Sequence, residues 1–187
     1  MKNLLLTLLA VISTLLANAQ SPKPLYTTKD LQTHGLVVWL SDAKARIELF
    51  KKHGQHKEAL RDSLNTSKQN RDLVRFYRTH FDFCKVNFYY TSHEEDLKNG
   101  LPVFLNPSLN PDPSIPLPEK LIIGGFFVKP GQESFPFPKR HFRVENSNIK
   151  MDLRTEAFRP FWKKKPTSER DIIRLNALLK KMASKNQ

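Results

Sequence analysis

The sequence is poor in the residues that mark the commonest exported and catalytic scaffolds. It contains one cysteine, Cys84, and six glycines among 187 residues. A disulfide framework needs paired cysteines, so the domain must be held together by its core. Cys84 begins a run with strand character, Cys84–Tyr90, and is predicted to be a small buried side chain. The few glycines form no phosphate-cradling loop and no G-x-S-x-G elbow, and H-E-x-x-H is absent.

Long apolar runs are also scarce. The longest, Leu4–Leu16, has roughly 13 residues, whereas a membrane-spanning helix needs about 20. Lys2 precedes this run and Ala17-Asn18-Ala19 follows it, which is the order of a cleavable secretory signal. We therefore predict a signal peptide at residues 1–19. The mature protein is expected in the periplasm or outside the cell, with no transmembrane span.

Negative charge is in short supply. The chain has 31 Lys and Arg against 18 Asp and Glu, a net charge of +13, and signal cleavage removes only Lys2. Such an excess indicates attraction to anionic partners and carries no information about the fold. It is concentrated in residues 139–187, which hold 14 basic and five acidic residues.

Within that region, the run Arg159–Pro166 combines basic and aromatic side chains. This combination can hold an acidic membrane surface, a sugar acid or single-stranded nucleic acid. The alternative is a solvated loop whose aromatic side chains pack on the core. We predict an anion-binding site here. Its residues are Arg159, Trp162, Lys163, Lys164 and Lys165.

Apolar patterning predicts a flexible segment at residues 20–34 and a single α/β domain at residues 35–187. Strands are expected near residues 36–40, 85–90, 120–128, 141–145 and 149–153. Helices are expected from Ser41 to Gly54, over 55–80, over 93–98 behind a Ser92/Glu95 capping box, and from Ser168 onward. The long helix has apolar positions that include Leu60 and Leu64, and a polar middle, 65–72, that is either exposed or broken. Six prolines between Pro102 and Pro118 predict a surface loop held by apolar side chains.

This order of elements resembles the thioredoxin-like fold, whose core runs β-α-β-α-β-β-α, over about residues 36–184. The family places Cys-x-x-Cys after its first core strand, where this sequence has no cysteine, so thiol-disulfide exchange of that kind is not expected. A second resemblance rests on Phe81–Tyr90 and Asn110–Ile115. These segments are similar to uncharacterised exported bacterial proteins, and the similarity implies export.

Two histidine clusters contain groups that could bind a metal or transfer a proton. His53 and His56 are three residues apart, but Gly54 between them indicates a helix end, and no third metal ligand is suggested by spacing. The run His93–Asp96 has groups for acid–base work, yet it is also the acidic first turn that a helix favours. We therefore predict no catalytic residue, no metal and no cofactor.

The sequence as a whole predicts a non-catalytic binding module for an anionic envelope or extracellular partner. That partner is a lipid surface, an acidic polysaccharide or a protein, and nucleic acid is less favoured. One alternative is an enzyme on a thioredoxin-like scaffold. It would be a redox protein using Cys84 alone, or a hydrolase with His93 or His141 beside a carboxylate. Another is a structural protein that assembles through its Pro-rich loop, residues 102–118.

Overall fold

The structure is a computed structural model that describes residues 26–128, 140–147, 149–153 and 167–185. The elements in these ranges are α1 (Thr28–His34), β1 (Leu36–Leu40), α2 (Lys44–Lys52), α3 (His56–His80), β2 (Val86–Tyr90), a 3-10 turn (Thr91–His93), α4 (Glu94–Lys98), β3 (Ile123–Val128), β4 (Arg140–Val144), β5 (Lys150–Leu153) and α5 (Thr167–Lys185). The fold is mixed α/β, as predicted, and the predicted order of strands and helices from β1 onward is confirmed. No helix within these ranges is both long and apolar enough to cross a membrane.

Residues 28–34 form helix α1, which corrects the prediction of a flexible segment over 20–34 for the part that the structure describes. Thr27 and Asp30 make a capping box. The Asp30 N–H donates to the Thr27 hydroxyl, and the Thr27 N–H donates to the Asp30 carboxylate at 2.9 Å. Leu31 is fully buried in the core, so it anchors the helix. The start signal is visible in the sequence as Thr-x-x-Asp, with Asp in the place where Glu or Gln is usual.

The five strands form one sheet in the order β2-β1-β3-β4-β5. Strand β1 pairs in parallel with β2 and β3, whereas β3–β4 and β4–β5 are antiparallel pairs. Parallel neighbours need a long crossover, which α2 and α3 supply between β1 and β2. The first three strands are therefore mutually parallel, and β4 and β5 extend the sheet by antiparallel pairing.

Both faces of β1 are buried, which explains its wholly apolar sequence. Alternate residues point to opposite faces of a strand. One face packs against α3 and α5, in a large cluster that includes Leu36, Val38, Leu40, Val74, Tyr77, Phe142, Ile172, Leu175 and Leu179. The other face packs against α4 and the Pro-rich loop, in a smaller cluster of Val37, Tyr89, Leu97, Phe104 and Ile123.

The Pro-rich loop between α4 and β3 is fixed by buried apolar side chains and by backbone hydrogen bonds, as expected. Phe104 is fully buried and Leu105 nearly so. The Leu105 N–H donates to the Phe88 carbonyl at 2.9 Å, and the Asp112 N–H donates to the Phe104 carbonyl at 2.7 Å. The loop is therefore bonded to the edge strand β2.

The start of α4 differs from the prediction. A 3-10 turn follows β2 directly, and the α-helix begins at Glu94 with no side-chain cap at His93. Ser92 thus lies inside the turn instead of capping the helix. Its hydroxyl interacts with the carboxylate of Asp42 in the loop after β1. The predicted Ser92/Glu95 capping box is therefore wrong, although the short helix is present.

Candidate functional site: the basic outer face of α3

Helix α3 carries all of its Lys and Arg side chains on one exposed face. Consecutive members of the set are three, four or seven residues apart, which places them in one row along the helix. At 1.5 Å per residue the row is about 32 Å long. We call this set the basic face. It consists of Lys57, Arg61, Lys68, Arg71, Arg75 and Arg78.

The acidic side chains of α3 do little to neutralise this face. Glu58, Asp62 and Asp72 are all half-buried, whereas the basic face is exposed. Asp62 accepts a hydrogen bond from Arg46 of α2 at 2.8 Å, so its charge is directed toward the neighbouring helix.

Asp72 is the one carboxylate of α3 that contacts the basic face. It lies 3.0 Å from the Lys68 ammonium and 2.8 Å from the Arg75 guanidinium. In the described part of the chain, the other four members of the basic face have no carboxylate within ion-pair distance. The surface therefore keeps a clear excess of positive charge along its length.

The orientation of α3 is set by the side that it buries. Val74, Phe76 and Tyr77 lie in the core, and the Asn70 side-chain amide donates to the Ser41 carbonyl at 2.7 Å. That bond ties the middle of the helix to the loop after β1. The polar middle, 65–72, is thus a continuous part of the helix, so the predicted break is wrong. The other alternative, an exposed middle, is confirmed for most of the segment, where only Thr66 and Asn70 are buried.

Two leucines of α3 are exposed, contrary to their expected place in the apolar stripe. Leu60 is 63% and Leu64 is 60% exposed, whereas the neighbouring positions Ala59 and Thr66 are buried. One residue along a helix is a rotation of about 100°, so neighbouring positions face different environments. Leu60 and Leu64 therefore project on the same side as the basic face.

A concave site lies on the opposite face of the sheet. Its volume is about 590 Å³, and its lining includes Trp39, Lys98, Arg143 and Glu145. The Trp39 ring lies against the bare backbone of Gly125, where a Cβ atom would come within 2.4 Å of the ring. An aromatic wall with charges of both signs suits a small polar ligand. Because Glu145 offsets one of the two cations, this cavity has a smaller excess of positive charge than the basic face.

Cys84 is half-buried and packs against the large core cluster, in agreement with the predicted structural role. Burial raises the pKa of its thiol to about 12, and the hydrogen bond with the Leu36 backbone opposes this only in part. With this pKa, Cys84 is protonated near neutral pH. It is therefore weakly reactive, because the thiolate is the nucleophile.

The carboxyl ends of β1 and β2 bring Asp42 close to Tyr90. Ligands of open α/β sheets commonly bind at this edge. Burial of Asp42 opposes its ionisation, but hydrogen bonds from Ser92 and the Lys44 backbone outweigh this, so the pKa of Asp42 is lowered. Burial and the charge of Asp42 raise the pKa of Tyr90. Both shifts move these groups away from titration near neutral pH, so this pair is poorly suited to general acid–base work.

The two histidine clusters lie at helix ends. His93 Nδ1 lies 3.0 Å from Asp96 Oδ2 within the first turn of α4. His53 ends α2, His56 begins α3, and both are exposed. Across the described residues, no group of three His, Cys, Asp or Glu side chains is placed to hold a metal ion.

The predicted anion-binding site, residues 159–165, lies outside the described residues, so it stays a prediction. The basic face is not among the predicted sites, because a charge count by segment does not show how the charges are distributed around a helix. The signal that could have found it is the three-, four- and seven-residue spacing of every Lys and Arg over 57–78.

Comparison with known proteins adds no relative. The chain matches no protein-family model, no curated protein and no solved structure. Both resemblances noted in the sequence therefore remain predictions.

Proposed function

We propose that this protein is an exported, non-catalytic module that binds an anionic partner at the cell envelope or outside the cell. The observation that carries the proposal is the basic face of α3. It presents six cations in one row of about 32 Å, and among the described residues a single carboxylate, Asp72, contacts them. A row of this length suits an extended anionic surface or chain better than a small ion.

The expected strength follows from the number of charges. An exposed Lys or Arg near an anionic lipid surface contributes about 1 kcal/mol. Four to six such contacts give about 4–6 kcal/mol, which corresponds to dissociation constants from about 1 mM to tens of micromolar. Binding of this kind weakens steeply with salt, because the Debye length falls from about 10 Å at 0.1 M to about 3 Å at 1 M.

The enzyme alternatives have less support. The single-cysteine redox version needs a thiolate, and the thiol of Cys84 has a pKa of about 12. The hydrolase version needs a histidine and a carboxylate in a cleft. His93 and Asp96 do pair, but the two lie at the start of a five-residue helix and line none of the four cavities around Trp39, Gln69, Cys84 and Asn176.

The test compares three variants of the chain starting at Gln20, the predicted mature form. The first neutralises four residues of the basic face. Its substitutions are Lys68→Gln, Arg71→Gln, Arg75→Gln and Arg78→Gln. A control variant loses the same charge from exposed lysines elsewhere. Its substitutions are Lys29→Gln, Lys52→Gln, Lys181→Gln and Lys185→Gln. A third variant replaces Lys163, Lys164 and Lys165 by alanine, to test the predicted site.

Binding is measured to phosphatidylglycerol-containing vesicles, a sulfated polysaccharide and an oligonucleotide across a salt series. We expect the first variant to lose at least tenfold in affinity for the preferred anion, while the control loses less than threefold. Equal losses in both would show that only net charge matters, and the proposal would fail. Loss in the third variant alone would move the site to residues 163–165.

A further inference from the structure

We infer that α3 lies flat on an anionic lipid bilayer, with Leu60 and Leu64 inserted at the boundary between headgroups and acyl chains. This inference rests on the proposed function, and it selects one partner class from those that the charge allows. It is carried by the two exposed leucines that interrupt the row of cations.

The leucines and the cations share one side of the helix. Leu60 and Leu64 are four residues apart and therefore neighbours on the helix surface, with Lys57 and Arg61 beside them. Each leucine exposes about three-fifths of its surface, more than the other exposed large apolar side chains of the described residues. The basic face thus has two adjacent apolar side chains among its positive charges.

This combination distinguishes a lipid surface from other anions. A hydrated polysaccharide or phosphodiester backbone can pair with the cations but leaves exposed leucines in water. A bilayer interface offers both anionic headgroups and an apolar layer a few ångströms below them, which is where amphipathic helices lie. The long Lys and Arg stems can then reach back to the phosphates.

The position of the leucines in the fold allows such contact. The second half of α3 holds the core residues Val74, Phe76 and Tyr77, whereas the first half buries only Ala59 and Thr66. Helix α2, which precedes this half, has no buried residue. The leucine-bearing half therefore stands at the periphery, where a flat surface can approach it without disturbing the core.

The first experiment measures partition onto vesicles that contain equal amounts of phosphatidylglycerol and phosphatidylcholine. The test variant is Leu60→Ser with Leu64→Ser, and the control is Leu101→Ser. Leu101 is 50% exposed and follows α4, which packs on the other face of the sheet. Circular dichroism checks that each variant is folded.

We expect the double leucine variant to lose about tenfold or more in vesicle partition, because inserting even part of two leucine side chains contributes substantially to transfer from water. Its binding to the sulfated polysaccharide should stay within about twofold of the parent, since the cations are intact. The Leu101→Ser variant should behave as the parent on both ligands.

A second measurement locates the helix. Leu64→Trp and Leu101→Trp each add one tryptophan to the same background of two. Lipids brominated on their acyl chains should quench the added fluorescence at position 64 and leave that at position 101 unchanged.

The outcomes separate this inference from the proposed function. If the basic-face variant loses vesicle binding but the leucine variant keeps it, insertion is wrong and anion binding stands. If polysaccharide or oligonucleotide binds more tightly than vesicles, the partner class is wrong. If neither variant changes the binding of any anion, both anion binding by the basic face and insertion of the leucines are wrong.

Discussion

Replacing Gly35 by alanine tests how tightly α1, β1 and β2 are joined. Gly35 has φ 83° and ψ 177°, a conformation that only glycine populates readily. A Cβ atom there would lie 2.8 Å from the Lys85 carbonyl oxygen. That oxygen accepts the Leu36 N–H at 2.8 Å, so it cannot retreat without breaking the hydrogen bond that links β1 to the residue before β2.

The substitution has two costs, backbone strain and steric overlap of the added methyl group, and they add because they arise from different atoms. The backbone strain is about 1–3 kcal/mol, and forcing an extra methyl group into packed surroundings costs a further 1–3 kcal/mol or so. We therefore expect Gly35→Ala to lower the free energy of unfolding by about 4 kcal/mol, against a typical total of about 5–15 kcal/mol. For a chain of this size the melting temperature should fall by about 10 °C.

Gly54 supplies the matched control. It also has a positive φ, 70°, but a Cβ there meets no atom within 4 Å. Gly54→Ala should therefore show the conformational cost alone, about 1–2 kcal/mol. Urea unfolding followed by circular dichroism gives both values. If Gly35→Ala costs no more than Gly54→Ala, the close approach to the Lys85 carbonyl is not a constraint, and the reasoning is refuted.

Three further predictions follow from single contacts. Hydrogen bonds from Thr27 hold the pKa of Asp30 at about 2, below the usual 3.8, so its stabilising effect is complete above pH 3.8 and disappears as the pH falls through 2. As the pH is lowered through this range, the unfolding midpoint should therefore fall less in the Asp30→Asn variant than in the parent protein. An equal fall of the midpoint in both proteins would contradict this. Cys84 should react slowly with a thiol reagent at about pH 8 in the native state and quickly in urea, because the unfolded thiol has a pKa near 9.0 instead of about 12; rapid native labelling would overturn its structural role. Asn70→Ala should cost about 1–2 kcal/mol by removing its hydrogen bond to the Ser41 carbonyl, whereas the exposed Gln69→Ala should change stability by under 0.5 kcal/mol.

The strands were predictable because their signal is local. Leu36–Leu40 is a continuous apolar run between Gly35 and Ser41, and the structure confirms it residue for residue. The ends of the helices were harder to predict. The Ser92/Glu95 pattern met the sequence rule for a capping box, but the turn after β2 takes Ser92 away from the helix start. A cap is a geometric relation, so a neighbouring element can displace it.

The sequence by itself determined the place of the strands that the structure describes, the order of these elements from β1 onward, the lack of disulfides and the excess of positive charge. These depend on composition and on patterns within a few residues. Only the tertiary structure decided which apolar positions of α3 face the core and which face outward. That choice depends on the helix α5 and the loop after β1, which pack on its other side and are distant in sequence. For this reason Leu60 and Leu64, although leucine is typical of a protein core, lie in the exposed row with the cations.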